Sequence, residues 1–326
     1  MYLKKSILMI AVVVLSVSWM AGKGNISKNA SVEEIFQYIQ TVGPRYTYHQ
    51  QVVTFKNEGM NLVATLVIPA TPQKPPIVLT FNGFGEDRFY KIVPGTGGEY
   101  YYDRLSRFLA EQGIATLRVD YRGSGASDGT FNMLCFSTQI SDVSASIDYV
   151  QKNLRNRVDC EHLGLVGHSQ GGLVSSIAAA RDKRVKAVTV WSAVANPPTT
   201  FEFLCTKEKM REGLNLPDGG SLIVPVWIET FFYGNFDLGK CFFQDVYSID
   251  PIAEIKNYKG PFMYIGGLQD IIVSPQPYSG ELYMKYHTGT EKLIMLDTDH
   301  EFNSDYYPED YDKTLYWTAA WFIKTL

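Results

Sequence analysis

The run "PPIVLTF" and five later ones, "IATLRVDY", "LGLVG", "VKAVTVW", "PFMYIGG" and "EKLIMLD", are short and mostly apolar, with apolar residues on adjacent positions. A strand apolar on successive residues has both faces covered, as in a parallel sheet with helices on either side. Between the runs lie stretches with helical spacing: "YYDRLSRFLAEQG", "STQISDVSASIDYVQKNL", "GGLVSSIAAARD", "SPQPYSGELYMKYHTG" and the terminal "DYDKTLYWTAAWFIKTL". The alternation predicts an α/β protein with a mainly parallel central sheet and helices on both faces. Ahead of it, "QQVVTF" and "NLVATLVIPA" predict a hairpin turning at "KNEGM". Residues from about 196 to 250 break the rhythm. They are rich in Pro, Gly and aromatics and longer than a crossover needs, which predicts an inserted cap after the sixth strand. The rest of 25–326 reads as one large domain.

The start of the chain is of another kind. "MYLKKSILMIAVVVLSVSWMAGKG" has Lys4 and Lys5, an apolar run from Ile7 to Leu15, then small residues, the order of a secretory signal. Residues 1–24 are therefore expected to be a cleaved export signal, with an uncleaved membrane anchor as the alternative. Export makes Cys135, Cys160, Cys205 and Cys241 candidates for disulfides. Cys205 and Cys241 could staple the insertion, or all four could be buried thiols. A formal net charge of −4 offers no basic patch for nucleic acid.

At the junction of "LGLVG" and the alanine-rich helix pattern stands Gly167-His168-Ser169-Gln170-Gly171. A serine on so tight a strand-to-helix turn is held out for chemistry, and the glycines allow the close approach of neighbouring backbone. A serine hydroxyl is a weak nucleophile that needs a base, which needs an orienting acid, in that fold in the order Ser, acid, His. Of the five histidines, only His287 and His300 follow at a distance. His287 lies in a helical pattern, whereas His300 follows the strand "EKLIMLD", so His300 is the expected base. Asp270, just past "PFMYIGG", is the expected acid, since Asp297 and Asp299 lie on the base's own loop. An oxyanion hole needs two backbone N–H groups, those of Gln170 and of Phe84 in "LTFNGFGEDRF".

These segments carry a family resemblance. The chain resembles the α/β-hydrolase superfamily, and within it the cinnamoyl and feruloyl esterases and serine-aminopeptidase-like hydrolases. The resemblance rests on "DYRGSGASDGTF", "GHSQGG", "GLQDIIVSP" and "DHEFNSDYY". It implies Ser169 as nucleophile, Asp270 as acid, His300 as base, and Phe84 and Gln170 as oxyanion donors. Asn82-Gly83 and Gly266-Gly267 depart from the His-Gly pairs that the family often has there.

The expectation is an exported serine hydrolase cleaving small-molecule carboxylic esters through an acyl-enzyme. The alternatives are a serine peptidase of short peptides and a catalytically silent binding protein. No cofactor or metal is implied, because no histidine pair has ligand spacing and no glycine-rich phosphate loop occurs. A membrane is a partner only if the N-terminal segment stays on. Trp227, Phe231 and Phe232 in the insertion are expected to line an acyl pocket, the alternative being that they form the cap's own core.

Overall fold

The computed structural model describes residue 27 and residues 29–326, so the predicted export segment lies outside the described residues. The strands are β1 (Tyr48–Asn57), β2 (Met60–Pro69), β3 (Pro76–Phe81), β4 (Ala115–Val119), β5 (Asp159–His168), β6 (Val185–Trp191), β7 (Ser221–Ile228), β8 (Phe231–Gly239), β9 (Phe262–Gly267) and β10 (Glu291–Leu296). Eight of them form one sheet in the order β1-β2-β4-β3-β5-β6-β9-β10, while β7 and β8 pair separately. β1–β2 and β2–β4 are antiparallel and the remaining neighbours parallel.

The period-2 geometry of a strand explains the continuous apolar runs. Leu79 of β3, Leu165 of β5, Val190 of β6 and Tyr264 of β9 pack into one core with α3 (Phe136–Asn153), α4 (Gln170–Arg181) and α9 (Tyr278–Tyr286). Their neighbours Val78, Val166, Trp191 and Ile265 pack into a second core with α1 (Val32–Val42), α2 (Tyr101–Glu111) and α10 (Pro308–Thr325). Each inner strand is thus buried twice, which is why it tolerates so few polar residues.

Between β6 and β9 the chain forms α5 (Pro197–Cys205), α6 (Lys207–Leu214), the β7–β8 hairpin, α7 (Lys240–Ser248) and α8 (Pro251–Ile255). α5 begins where Asn196 accepts the Thr199 N–H at 3.2 Å and a proline takes the first helical position. The hairpin turns without glycine, on Glu229 at φ 54°. Two-residue turns of this kind usually carry Asn-Gly or a similar pair, so nothing local marks it in the sequence.

The cysteines pair differently from the Cys205–Cys241 staple considered above. Cys135 is bonded to Cys241, with Cα atoms 5.8 Å apart, while Cys160 and Cys205 are buried free thiols. Cys205 is wholly enclosed in the core under α5, whereas Cys241 opens α7 beside the start of α3. The same junction holds Asn132 Nδ2 donating to Asp237 at 2.9 Å and the Ser137 hydroxyl donating to Asp245 at 2.8 Å. The insertion is therefore fastened to the main domain at α3.

Candidate active site

Ser169 stands between β5 and α4 at φ 52° and ψ −116°, a conformation that costs about 1–3 kcal/mol and persists only under constraint. The constraint is visible. The Ser169 N–H donates to Trp191 O at 2.8 Å, and its carbonyl accepts from Gly172 N at 3.0 Å and Val194 N at 3.3 Å. A Cβ on Gly167 would lie 2.1 Å from Gly171 O, and one on Gly171 would lie 2.3 Å from Phe81 O. Only glycine fits at either position, which gives the flanking residues of the motif their physical reason.

His300 follows β10 and is nearly buried. Its Nδ1 lies 2.8 Å from Asp270 Oδ2. The other carboxylate oxygen of Asp270 accepts the N–H groups of Ile272 at 2.8 Å and Val273 at 2.9 Å. Burial would raise the Asp270 carboxyl, but His300 and the two N–H donors outweigh it and hold it below the usual range. For His300, burial opposes the charged form, yet Asp270, with Glu301 and Glu86 further off, raises it above an ordinary imidazole. Asp297 instead accepts from Gln269 Nε2 at 2.9 Å, and Asp299 accepts the Glu301 and Asn303 N–H groups at 2.9 and 2.7 Å. These two carboxylates shape the His300 loop and do not touch the imidazole. His287 caps α9 and contacts Gly260 O at 3.0 Å with its Nε2.

Ser169 and His300 line one cleft together with Phe84, Glu86, Leu204, Val226, Ile228, Tyr233, Ile272 and Glu301. Gln170 is the first residue of α4, where a backbone N–H has no partner one turn back. Phe84 lies on the loop after β3. The N–H before its own, that of Gly83, is taken by Glu86 Oε2 at 2.7 Å, and its carbonyl accepts the Tyr233 hydroxyl at 3.2 Å. The Phe84 ring packs on Phe131, Phe201, Phe236 and Phe242.

Trp227, Phe231 and Phe232 do not line this cleft. They are 47%, 65% and 44% exposed on the hairpin, with the Trp227 and Phe232 rings 5.0 Å apart. The inward positions of β7 are Val226 and Ile228. A register shift at Val226/Trp227, where Val226 pairs with Gly234 and Trp227 with Phe232, leaves Tyr233 as an extra residue. Such a bulge re-aims a side chain, here Tyr233, into the cleft. Nor are the three the cap's core, which is built from Val224, Leu238, Phe242 and Phe243. Glu86 on the cleft wall meets Tyr102 and His168 behind it, and the sequence pattern singles out none of the three. A glutamate in an oxyanion-type loop was the one local signal for them.

Residues 58–200 match the family model of the X-Pro dipeptidyl-peptidases (S15 family). An uncharacterized 31.7 kDa protein of Escherichia coli is 31% identical over 166 residues, 48% of this chain and 53% of that protein. The chain thus spans about half the length of the curated relatives it matches. Among solved structures, Est1E from Butyrivibrio proteoclasticus with ferulic acid bound is similar at a TM-score of 0.65 and 23% identity, over 82% of this chain and 96% of that one. The esterase domain of a Rhodothermus marinus protein is similar at 0.61 and 21%, over 84% and 97%. The shared sheet and the helices on both its faces give this chain the α/β-hydrolase fold, and the stretch that matches the family model spans the Ser169 turn.

Proposed function

We propose that the protein is a serine hydrolase that cleaves carboxylic esters through an acyl-enzyme on Ser169. One observation carries the reading: Ser169, held at positive φ, lines the same cleft as His300, and His300 is tied through Nδ1 to the buried Asp270. In this reading His300 takes the Ser169 proton as the hydroxyl attacks the ester carbonyl, then returns it to the leaving alcohol. Water attacks the acyl-enzyme with His300 again as base, and Asp270 stabilises the imidazolium in both steps. The N–H groups of Phe84 and Gln170 receive the oxyanion, each donor contributing a factor of ~10²–10³ in rate.

The ester preference is supported by the two esterase neighbours, one of them with ferulic acid bound. Phe84, Leu204, Val226, Ile228 and Ile272 give the cleft an apolar wall suited to an aryl or medium-chain acyl group. The open space is about 30 Å³, room for a couple of water molecules, so a larger acyl group enters only as the hairpin gives way. The match to the dipeptidyl-peptidase model favours a second reading, cleavage of short peptides by the same groups. The Cys135–Cys241 bond supports work outside the cytosol, as does the apolar N-terminal run. No helix among the described residues is long and apolar enough to cross a membrane.

The test is a fluorophosphonate probe with turnover on aryl esters and on an X-Pro amide. Labelling of wild type but not Ser169→Ala, with esters turned over faster than the amide, is the expected result. Labelling that persists in Ser169→Ala sinks the assignment, and faster amide turnover selects the peptidase reading.

A further inference from the structure

We propose that His168 and Glu86 form a buried ion pair that locks the loop bearing Phe84 to the loop bearing His300 and balances the charge felt by His300. The proposal rests on the reading of Ser169 and His300 as nucleophile and base, and assigns to both residues a positioning role.

His168 immediately precedes Ser169 and is wholly buried. Its Nε2 lies 3.2 Å from the His300 carbonyl oxygen. A carbonyl can only accept, so Nε2 carries a hydrogen and donates it. Nδ1 faces Glu86 Oε1 at 3.3 Å and the Tyr102 hydroxyl oxygen at 3.4 Å. Tyr102 has one hydroxyl proton, and it is donated to Glu86 Oε2. Nδ1 therefore meets two oxygens with no proton to give. A lone pair there would face other lone pairs, whereas an N–H satisfies the contact. The proton could sit on Glu86 Oε1 with the same overall count. Two donors on Oε2, from Tyr102 and Gly83, favour the carboxylate instead. Burial pushes the Glu86 carboxyl up, but His168, Tyr102 and Gly83 more than offset that and hold it low.

The pair bridges separate parts of the site. Glu86 holds the Gly83 N–H with its side chain, while its backbone carbonyl accepts Asn82 Nδ2 at 2.6 Å and the Ser124 hydroxyl at 2.8 Å. That fixes the peptide just before the Phe84 N–H. His168 reaches the opposite side through the His300 carbonyl. The pair also acts at a distance. The His168 and His300 rings are 4.9 Å apart, so a cation on the first resists protonation of the second. The Glu86 carboxylate has the opposite effect on His300. Together the two charges largely cancel, leaving Asp270 to set the base.

The other groups around them do not upset this balance. Tyr101 and Tyr102 on α2 and Tyr121 after β4 are buried, and Tyr90 on the loop before α2 and Tyr233 on β8 are partly buried, which raises their hydroxyls and keeps them neutral. Tyr311 on α10 is held neutral in the same way. The carboxylates beside them are Asp270, paired with His300, Glu301, paired with Lys91, and Asp299, which accepts backbone N–H groups of the His300 loop.

The experiment compares Glu86→Gln, His168→Gln and the double variant. Glu86→Gln removes the carboxylate and with it the proton that charges His168, so the acid limb of kcat/KM stays close to that of wild type. His168→Gln leaves Glu86 unpaired, so the limb moves to higher pH. That shift is on the order of 0.5–1 pH unit, and the double variant returns toward wild type. A purely structural role lowers kcat and melting temperature alike and moves both limbs together or not at all, which overturns the proposal. A second measurement needs no turnover. In full-length Ser169→Ala at neutral pH, ¹⁵N NMR should show both His168 ring nitrogens protonated, and Glu86→Gln on that background should lose the Nδ1 proton. A single protonated ring nitrogen overturns the ion pair whatever the protein hydrolyses. Absence of turnover and probe labelling overturns the proposed function and leaves this readout standing.

Discussion

His300 is subject to opposing influences, burial working against its charged form and Asp270 favouring it more strongly. In its proposed role as base it must be neutral, so kcat/KM should rise with pH through a midpoint above that of an ordinary histidine. Asp270→Asn removes the upward influence and leaves burial, so its midpoint should move to lower pH while kcat falls about 10⁴-fold. Ser169→Ala and His300→Ala should each cost about 10⁶-fold, because the members of the proposed triad act as a unit. Asp297→Asn should stay within about tenfold of wild type, since among the described residues the Asp297 carboxylate bonds to Gln269 in the loop before Asp270 and not to His300. Steady-state pH profiles of the four variants check all of this, and a crippled Asp297→Asn beside an active Asp270→Asn would reassign the acid. Ser169, Asp270 and His300 could be proposed from the sequence because each follows a strand whose apolar run is readable. Glu86 and His168 could not be paired, because their contact depends on where β3 and β5 lie side by side in the sheet.

In the proposed function, substrate choice turns on the hairpin β7–β8, whose Val226, Ile228 and Tyr233 line the cleft. Tyr233 donates to Phe84 O, and Tyr233 and Phe236 lie so close to Gly85 that a Cβ there would sit 2.7 Å from the Phe236 ring. Tyr233→Phe removes one hydrogen bond, of about 0.5–1.5 kcal/mol, and should lower kcat/KM several-fold with little change in melting temperature. Trp227→Ala, on the outward face, should leave the ratio of aryl to acetyl ester turnover unchanged. Ile228→Ala, on the cleft face, should change that ratio. Leu238→Ala, wholly buried on β8, should instead cost about 2–5 kcal/mol and slow all substrates alike. A substrate panel run beside thermal melts separates the three outcomes. If Trp227→Ala shifted the ratio as Ile228→Ala does, the face assignment would be wrong. The aromatic cluster was visible in the sequence, but its facing was not, because one extra residue on β8 changes which side chains look inward.

The main domain and the insertion are joined by one covalent link, Cys135–Cys241, closing a loop of 106 residues in sequence separation. Reducing it or replacing both cysteines by serine should cost about 2–4 kcal/mol, read as a lower melting temperature. Burial pushes the Cys205 thiol up to about 12 and also raises Cys160, so neither should react in the folded protein. A thiol reagent should find none in the native state, two after denaturation and four after reduction, as the two free and two bonded cysteines require. Two reactive thiols in the native protein would contradict the burial. The amino-acid sequence by itself determined the parallel sheet, the helices on both its faces and the tight turn at Ser169, because these follow from runs of adjacent residues and from glycines that only close backbone contact explains. The tertiary structure alone decided which cysteines meet, which hairpin face closes over Ser169 and how Glu86 reaches His168. Each depends on distant segments being brought together by packing of the whole core, and no local pattern of residues encodes that distance.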